Sequence, residues 1–157
     1  MAEDECSFSN FTEGTVNPAK FATTAALRQG LDQAKGDTKM TGYLTTHVLD
    51  TALSCPAAGL KITLYRIDGD TRAPLAEMET NDDGRTNSPI LPQDGFAIGT
   101  YELVFQAGDY LRASGQALPE PLFLDQVPIR FGISEADAHY HVPLLLSAFG
   151  YSTYRGS

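Results

Sequence analysis

The chain has 157 residues, of which 42% are hydrophobic, and a formal net charge of −9. This length suits a single domain with an appendage, and the apolar fraction is enough for a sizeable core. The acidic balance argues against nucleic acid or an anionic membrane as a partner, and no apolar run reaches the ~18 residues of a membrane-spanning helix.

Residues 1–40 differ from the rest and are predicted to form an N-terminal extension that is disordered or weakly helical. Asn17 can cap a short helix that Pro18 begins, but the apolar positions that follow make only a ragged face. The opening residues lack the basic and apolar regions of a secretory signal. Because the two cysteines, Cys6 and Cys55, show no metal-ligand spacing, we expect a cytoplasmic protein with reduced thiols.

Residues 41–157 change to the alternating pattern of β-strands and are predicted to form the folded domain. Residues 60–65 and 101–105 each alternate in this way, with Glu102 and Val104 on the second side of their strand. Turn-forming clusters lie at 54–59, 68–70, 81–84 and 92–95, and residues 106–115 fit one or two helical turns. Roughly six to eight short strands at this spacing predict an all-β fold, an antiparallel β-sandwich with one short helix.

His47 lies in the first predicted strand and shares a face with Thr45 and Leu49. A lone strand histidine is most often structural or merely exposed, so His47 taken alone is a weak signal.

His139 and His141 share one face of a later strand with Pro143 and Leu145. Proline cannot donate to a sheet, so Pro143 predicts a sheet edge or an interruption of pairing, and with it an interface or cavity wall. A His-x-His pair and a third histidine also fit a three-histidine zinc site, although no Asp, Glu or Cys ligand joins the pattern nearby. A solvated pair remains the alternative for His139.

Two further groups of residues are candidates for a site. Arg85 follows the tight turn 81–84, which fixes the direction of its side chain, although a surface arginine after a turn is common. Residues 154–157 gather a phenol, a guanidinium and a hydroxyl at the end of a strand. Sandwich packing does not need this combination, and it predicts a polar site that includes Tyr154 and Ser157.

Several segments together resemble the 5-hydroxyisourate hydrolases, the transthyretin-like enzymes of urate breakdown. The segments are 44–51 (LTTHVLDT), 56–57 (PA), 80–85 (TNDDGR), Tyr101 with Phe105, 139–147 (HYHVPLLLS) and 150–157 (GYSTYRGS). The resemblance covers residues 42–157 and leaves residues 1–40 outside it. The C-terminal motif is its most specific part.

The resemblance implies a transthyretin-like β-sandwich that assembles as a homotetramer, a dimer of dimers with two active sites in a central channel. It implies hydrolysis of 5-hydroxyisourate to 2-oxo-4-hydroxy-4-carboxy-5-ureidoimidazoline without a metal or cofactor. The implied catalytic residues are His47, Arg85, His141 and Ser157, and the implied substrate-binding residues are His47, Arg85 and Tyr154. His139 corresponds to a histidine that lies beside the chemistry.

The chemical hypothesis is that His47 and His141 share the proton transfers around an attacking water, since histidine titrates near neutral pH. Arg85 would hold the ring and polarise its carbonyl, Ser157 would hydrogen-bond the water or a nitrogen, and Tyr154 would form a wall. The alternative is a transthyretin-like carrier that holds a small ligand without catalysis. The polarity of His47, Arg85 and His141 favours hydrolysis. The ending 155–157 is not of the Ser-Lys-Leu type, which makes a peroxisome less expected than the cytoplasm.

Overall fold

The computed structural model describes residues 42–156, so the predictions for residues 1–40 and for Ser157 fall outside the described part of the chain. The strands are β1 Tyr43–Asp50, β2 Cys55–Pro56, β3 Lys61–Asp68, β4 Thr71–Glu79, β5 Gly99–Gln106, β6 Gln126–Ile133, β7 His139–Ser147 and β8 Gly150–Thr153. A short 3₁₀ turn, Gln93–Gly95, precedes β5, and one α-helix, α1 Ala107–Ala113, follows it. None of the helices in residues 42–156 has the length and apolarity that crossing a membrane requires.

The strands form two four-stranded sheets. The first sheet has the order β2-β1-β7-β8, and the second has the order β4-β3-β5-β6. All neighbouring strands pair antiparallel except β1 and β7, which run parallel from Tyr43 opposite His139 to Asp50 opposite Leu146. The predicted all-β sandwich with one short helix is therefore confirmed, and one parallel pair is added to it.

The core lies between the sheets because apolar side chains alternate with polar ones along the strands. Ile62 and Leu64 of β3 are fully buried, as are Leu44 and Val48 of β1 and Leu144 of β7. In β1 the alternation is complete: every second residue is buried and the residues between are half-buried. The inward and outward faces of β1 and β7 are therefore the ones that their sequences predict.

The second side of β5 differs from the expected half-exposed face. Glu102 and Val104 are buried as well, with exposed fractions of 6% and 3%. The Glu102 carboxylate accepts hydrogen bonds from Arg130 of the adjacent strand β6, the shorter at 2.9 Å, and forms an ion pair at 3.0 Å with Arg72 of β4, which lies two strands away. The long arginine side chains cover the carboxylate, a long-range arrangement that the alternation of β5 alone does not reveal.

Asp50 anchors the end of β1 to the helical region. Its side chain is buried and accepts hydrogen bonds from the backbone N–H groups of Ala52 and Leu53, both at 2.9 Å. The other carboxylate oxygen accepts from the Tyr110 hydroxyl at 3.1 Å and from the Gln116 amide at 3.2 Å. Four donors satisfy this buried carboxylate, so Asp50 fixes where β1 ends relative to α1.

Pro143 lies inside the first sheet and not at its edge. The neighbouring strand β8 pairs with β7 only from Leu144 to Ser147. Pairing resumes at His141, whose carbonyl accepts the Gly156 N–H at 2.8 Å. Pro143 faces this gap, where its missing N–H leaves no partner unsatisfied. Of the two predicted settings, an interruption of pairing is the one that the fold uses.

Candidate active site

The parallel pairing of β1 and β7 places the three histidines on the outward side of the first sheet. We call this surface the histidine face, and it consists of Tyr43, Thr45, His47, His139 and His141. Thr45 lies opposite His141, and His47 lies opposite Pro143. All five residues of this face are half-buried. Each side chain therefore packs against its neighbours and remains partly accessible from outside.

Hydrogen bonds and stacking fix the ring orientations of His139 and His141. The Thr45 hydroxyl lies 2.8 Å from Nε2 of His139 and 2.9 Å from Nδ1 of His141. The His139 ring also stacks on Tyr43, with the ring centroids 4.3 Å apart and the planes 20° from parallel. These contacts argue against the alternative of a solvated histidine pair, because residues of β1 hold both rings.

Arg85 reaches this face through a tight turn next to β1. Arg85 pairs with His47 as an isolated antiparallel bridge, and the Val48 N–H donates to the Gly84 carbonyl at 2.8 Å. Gly84 has a φ of +71°, and a Cβ there would clash with the Val48 carbonyl oxygen. Only glycine allows both the positive φ and this close approach of the turn to β1.

Asn81 holds the same turn from within. Its side-chain oxygen accepts the backbone N–H groups of Asp83 at 3.0 Å and Arg85 at 3.1 Å, and its own N–H donates to the Arg85 carbonyl at 2.8 Å. An Asx turn of this kind sets the direction in which residue 85 leaves the turn. Asn81 therefore positions Arg85 beside His47.

The C-terminal segment covers one side of His141. Gly156 donates its N–H to the His141 carbonyl, and a Cβ at Gly156 would lie 2.8 Å from Cδ2 and 3.3 Å from Cγ of the His141 ring. Any larger residue would push the ring from its place. Glycine at position 156 thus lets the backbone pack directly against the imidazole.

Both His47 and His141 have a pKa below the ordinary value of 6.5. For His47, burial is the main cause and the Arg85 charge adds to it, while a backbone hydrogen bond and the charge of Asp83 act in the opposite direction. For His141, burial again lowers the pKa most, followed by the charges of Arg85, His139 and His47. Burial penalises the charged form and neighbouring cations repel it, so both rings are neutral at pH 7.

These effects show which predicted residues the fold brings together. His47, Arg85 and His141 lie near one another, close enough for the Arg85 charge to lower the pKa of both rings. Tyr154 is 59% exposed and makes no hydrogen bond to these three side chains within residues 42–156. Ser157 lies outside the described residues.

Arg155 does not join the histidine face, although the terminal segment was expected to bring its polar groups to one place. Its guanidinium lies 4.3 Å above the ring of Tyr140, which is buried on the core side of β7. It also approaches Glu135 at 3.9 Å. Because neighbouring residues of an extended segment point to opposite sides, Gly156 packs under His141 while Arg155 packs on the other side.

The cleft at the open edge of the sandwich is separate from the histidines. It has a volume of about 240 Å³ and is lined by residues that include Phe131, Tyr140, Tyr154 and Arg155. The predicted substrate-binding residue Tyr154 therefore borders this cleft, whereas His47 and His141 do not. The histidine face is instead an open surface of a single chain. In residues 42–156 no group of three or more His, Cys, Asp or Glu side chains is arranged to hold a metal ion, so the zinc alternative gains no support.

Three residues of this site carry roles that the sequence patterns did not assign. Thr45 was placed only on the same face as His47, and Asn81 and Gly156 only within a turn and a terminal motif. The positional signal for Thr45 was the alternation that put it on the outward side of β1. Its contact with His141 spans 96 positions of sequence and follows from the parallel register alone.

The fold and the histidine face together define a transthyretin-like β-sandwich with a polar site on one sheet. The fold is shared with transthyretin from Sparus aurata at a TM-score of 0.64 and 23% identity, over 72% of this chain and 95% of that one. A model of the HIUase/Transthyretin family matches residues 44–156. The chain therefore belongs to the HIUase/Transthyretin family.

Individual relatives refine the comparison. The chain is 65% identical to 5-hydroxyisourate hydrolase 2 of Rhizobium meliloti (strain 1021) over 116 residues, which are 74% of this chain and 97% of that protein. The structure of Klebsiella pneumoniae 5-hydroxyisourate hydrolase is similar at a TM-score of 0.61 and 32% identity, over 74% and 99% of the two chains. The structure of (S)-allantoin synthase has a TM-score of 0.70 and 44% identity over 74% of this chain, which spans 44% of that longer chain.

Proposed function

We propose that this protein is a 5-hydroxyisourate hydrolase that opens the six-membered ring of its substrate to 2-oxo-4-hydroxy-4-carboxy-5-ureidoimidazoline in urate degradation. The observation that carries the proposal is the convergence of two neutral histidines and Arg85 on one supported face. The relative from Rhizobium meliloti, 65% identical and named for this activity, supports the same conclusion.

The reaction breaks the N1–C6 amide bond by addition of water. The oxygen of water bonds to C6, the C6–N1 bond breaks, and one proton of the water passes to N1, while the second leaves when the new carboxyl group ionises. The protein must therefore supply a base for the water, a stabiliser for the oxyanion at C6 and an acid for N1.

His47 and His141 suit the proton transfers. A pKa below 6.5 leaves each ring neutral at pH 7, and a neutral imidazole can accept a proton from the attacking water. The ring that gains the proton can return it to the departing nitrogen. Burial next to Arg85 favours this return, because it disfavours the imidazolium form.

Arg85 suits the stabilisation of developing negative charge. Within residues 42–156 it forms no ion pair, so its guanidinium is available to carbonyl oxygens of a ligand. The turn held by Asn81 and Gly84 fixes its backbone beside His47. A fixed, permanently charged donor lowers the energy of an oxyanion without rearrangement during the reaction.

Ser157 and Tyr154 complete the proposed site. Gly156 lies against the His141 ring. We assign to Ser157, the next residue of the chain, a hydrogen bond to the water or to a substrate nitrogen. Tyr154, which is largely exposed, would form a wall that contacts the substrate. We assign no metal and no cofactor to the reaction.

The open position of the histidine face supports assembly as a homotetramer, a dimer of dimers. A hydrolytic site needs walls that restrict solvent, and the outward face of one sheet has no opposite wall in a single chain. A second copy facing it would enclose the substrate. Because the relative from Rhizobium meliloti is a bacterial protein, and bacteria have no peroxisomes, we propose a cytoplasmic location for the enzyme.

A coupled ultraviolet assay tests the proposal. Urate oxidase generates hydroxyisourate in the cuvette, and its decay is followed with and without this protein. We expect the native protein to accelerate the decay, and Ser157→Ala to slow this catalysis without changing the oligomer measured by light scattering. Decay at the spontaneous rate with a confirmed tetramer would contradict catalysis and leave a ligand carrier as the better description.

A further inference from the structure

The Thr45 hydroxyl occupies an unusual position between two histidine rings. Its oxygen is 2.8 Å from Nε2 of His139 and 2.9 Å from Nδ1 of His141. A threonine hydroxyl carries one proton, and a neutral imidazole carries one N–H. Both contacts are hydrogen bonds only when at least one of the two rings donates to Oγ1, so Thr45 couples the protonation of the two rings.

The surroundings of His141 leave one nitrogen for the site. Nδ1 is engaged by Thr45, and Gly156 lies against the Cγ–Cδ2 edge of the ring. Within residues 42–156, Nε2 of His141 has no hydrogen-bond partner. The accessible edge of the imidazole is therefore the one that carries Nε2.

Resting on the proposed function, we propose that Thr45 is a positioning residue that makes Nε2 of His141 the basic nitrogen of the site. In this arrangement Nδ1–H of His141 donates to Oγ1 of Thr45, and the Thr45 hydroxyl donates to Nε2 of His139. The attacking water gives its proton to Nε2 of His141 as its oxygen bonds to C6, and that proton then passes to N1 as the C6–N1 bond breaks.

In this arrangement both hydrogen bonds of Thr45 stay the same during the chemical step. When Nε2 of His141 gains a proton, Nδ1 keeps its own proton and continues to donate to Thr45, so no hydrogen bond has to rearrange. In the opposite order Nε2 already carries the proton, and the only free lone pair would be Nδ1, which faces Thr45 and not the substrate.

Threonine also suits this role better than a carboxylate in the present surroundings. Within residues 42–156, the titratable or charged groups that act on His141 are His139 on its own strand, His47 on β1 and Arg85 in the adjacent turn, and none of them is an anion. A carboxylate on Nδ1 would favour the imidazolium form, whereas a neutral hydroxyl orients the ring and leaves it free to release the proton.

The test compares Thr45→Val, which keeps the side-chain shape and removes the hydroxyl, with Thr45→Ser, which keeps the hydroxyl. Thr46→Val is the matched control, since the Thr46 hydroxyl donates to the Val142 carbonyl at 2.7 Å on the core side of the same strand. Hydroxyisourate decay gives kcat and KM as a function of pH. Nitrogen-15 NMR of the ligand-free proteins at pH 8 gives the tautomer of His141.

We expect Thr45→Val to lower kcat about tenfold or more with KM within about twofold, and Thr45→Ser and Thr46→Val to retain native kcat. His141 should carry its proton on Nδ1 in the native protein and in Thr45→Ser, and on Nε2 in Thr45→Val. A native kcat in Thr45→Val, or an Nε2–H tautomer in the native protein, would overturn the assignment. If the native protein fails to accelerate decay, the proposed function fails, and the tautomer alone then decides the role of Thr45.

Discussion

The outward faces of the two sheets carry their charges in opposite ways. On the second sheet, Glu102 lies between Arg72 and Arg130, and opposite charges are paired at 3.0 Å and 2.9 Å. On the histidine face, Arg85 forms no ion pair within residues 42–156, and the nearby His141 ring is held by the neutral hydroxyl of Thr45. The first arrangement is satisfied within the chain, whereas the second leaves a cation and a neutral base for a ligand.

This difference separates a structural cluster from a functional one. Removing a group from the paired cluster disturbs stability, because its partners lose a counter-charge. Removing a group from the histidine face leaves the fold largely intact and removes an interaction with substrate. Activity and stability should therefore respond to different residues, and the following variants test that separation.

The largest effect on activity is expected for His141→Asn. Asparagine keeps a polar side chain on the face but cannot accept and return a proton near neutral pH. We expect kcat to fall by about 10²–10⁴, while the melting temperature and the oligomeric state remain near native. Activity close to native in the hydroxyisourate decay assay would remove His141 from the mechanism.

Arg85→Ala and Arg72→Ala test the two faces against each other. Loss of Arg85 should lower kcat/KM about 10²–10³, because the oxyanion loses a fixed cation. Loss of Arg72 should leave kcat/KM unchanged and cost about 0–1 kcal/mol of unfolding free energy, since Arg72 is 44% exposed and Glu102 keeps Arg130. Decay assays and urea denaturation of both variants measure the contrast, and equal activity losses would contradict it.

Gly156→Ala is expected to have an intermediate effect. The new Cβ would lie 2.8 Å from Cδ2 of His141, so the ring must shift by a few tenths of an ångström or more. Misplacing a catalytic group by such distances lowers kcat, here by about 10- to 100-fold. Gly150→Ala is the control, because a Cβ there meets only the Ser147 hydroxyl oxygen at 3.9 Å. Equal kcat in the two variants would show that the contact at residue 156 is unimportant.

The sequence predicted the faces of β1 and β7 correctly because alternation is a local property of a strand. It also predicted the β-sandwich and the helical turns of α1, whose signals lie within a few residues of each other. For His47, Arg85 and His141, the strand and turn patterns marked only candidates, and their roles in a site remain a prediction implied by the resemblance to the hydroxyisourate hydrolases. Each of these predictions needed no knowledge of which strands are neighbours.

Other features depend on which strands are neighbours, and the pattern of residues within one strand could not predict them. Thr45 meets His141 only because β1 and β7 pair in parallel in one register. Glu102 is buried because arginines from β4 and β6 cover it, and neither arginine is near it in sequence. Arg155 points away from the histidine face, and there its guanidinium makes a cation–π contact with Tyr140 of β7.

The smallest expected effects are changes of activity and stability with pH, and they test how the Arg85 charge acts on the histidines. Neutral His47 and His141 are needed as bases, so kcat/KM should fall as the pH decreases below the ordinary histidine pKa of 6.5. The unfolded chain takes up these protons near pH 6.5 and the folded protein only at lower pH, so stability should also fall as the pH decreases through this window.

Removing the Arg85 charge should raise the pKa of both rings, because Arg85 disfavours their cationic forms. NMR titration of the His47 and His141 rings in Arg85→Ala should therefore show both titrations moved to higher pH. Arg72→Ala should leave both of them in place. Identical titrations in the two variants would mean that the Arg85 charge does not reach the histidines, and that burial alone keeps them neutral.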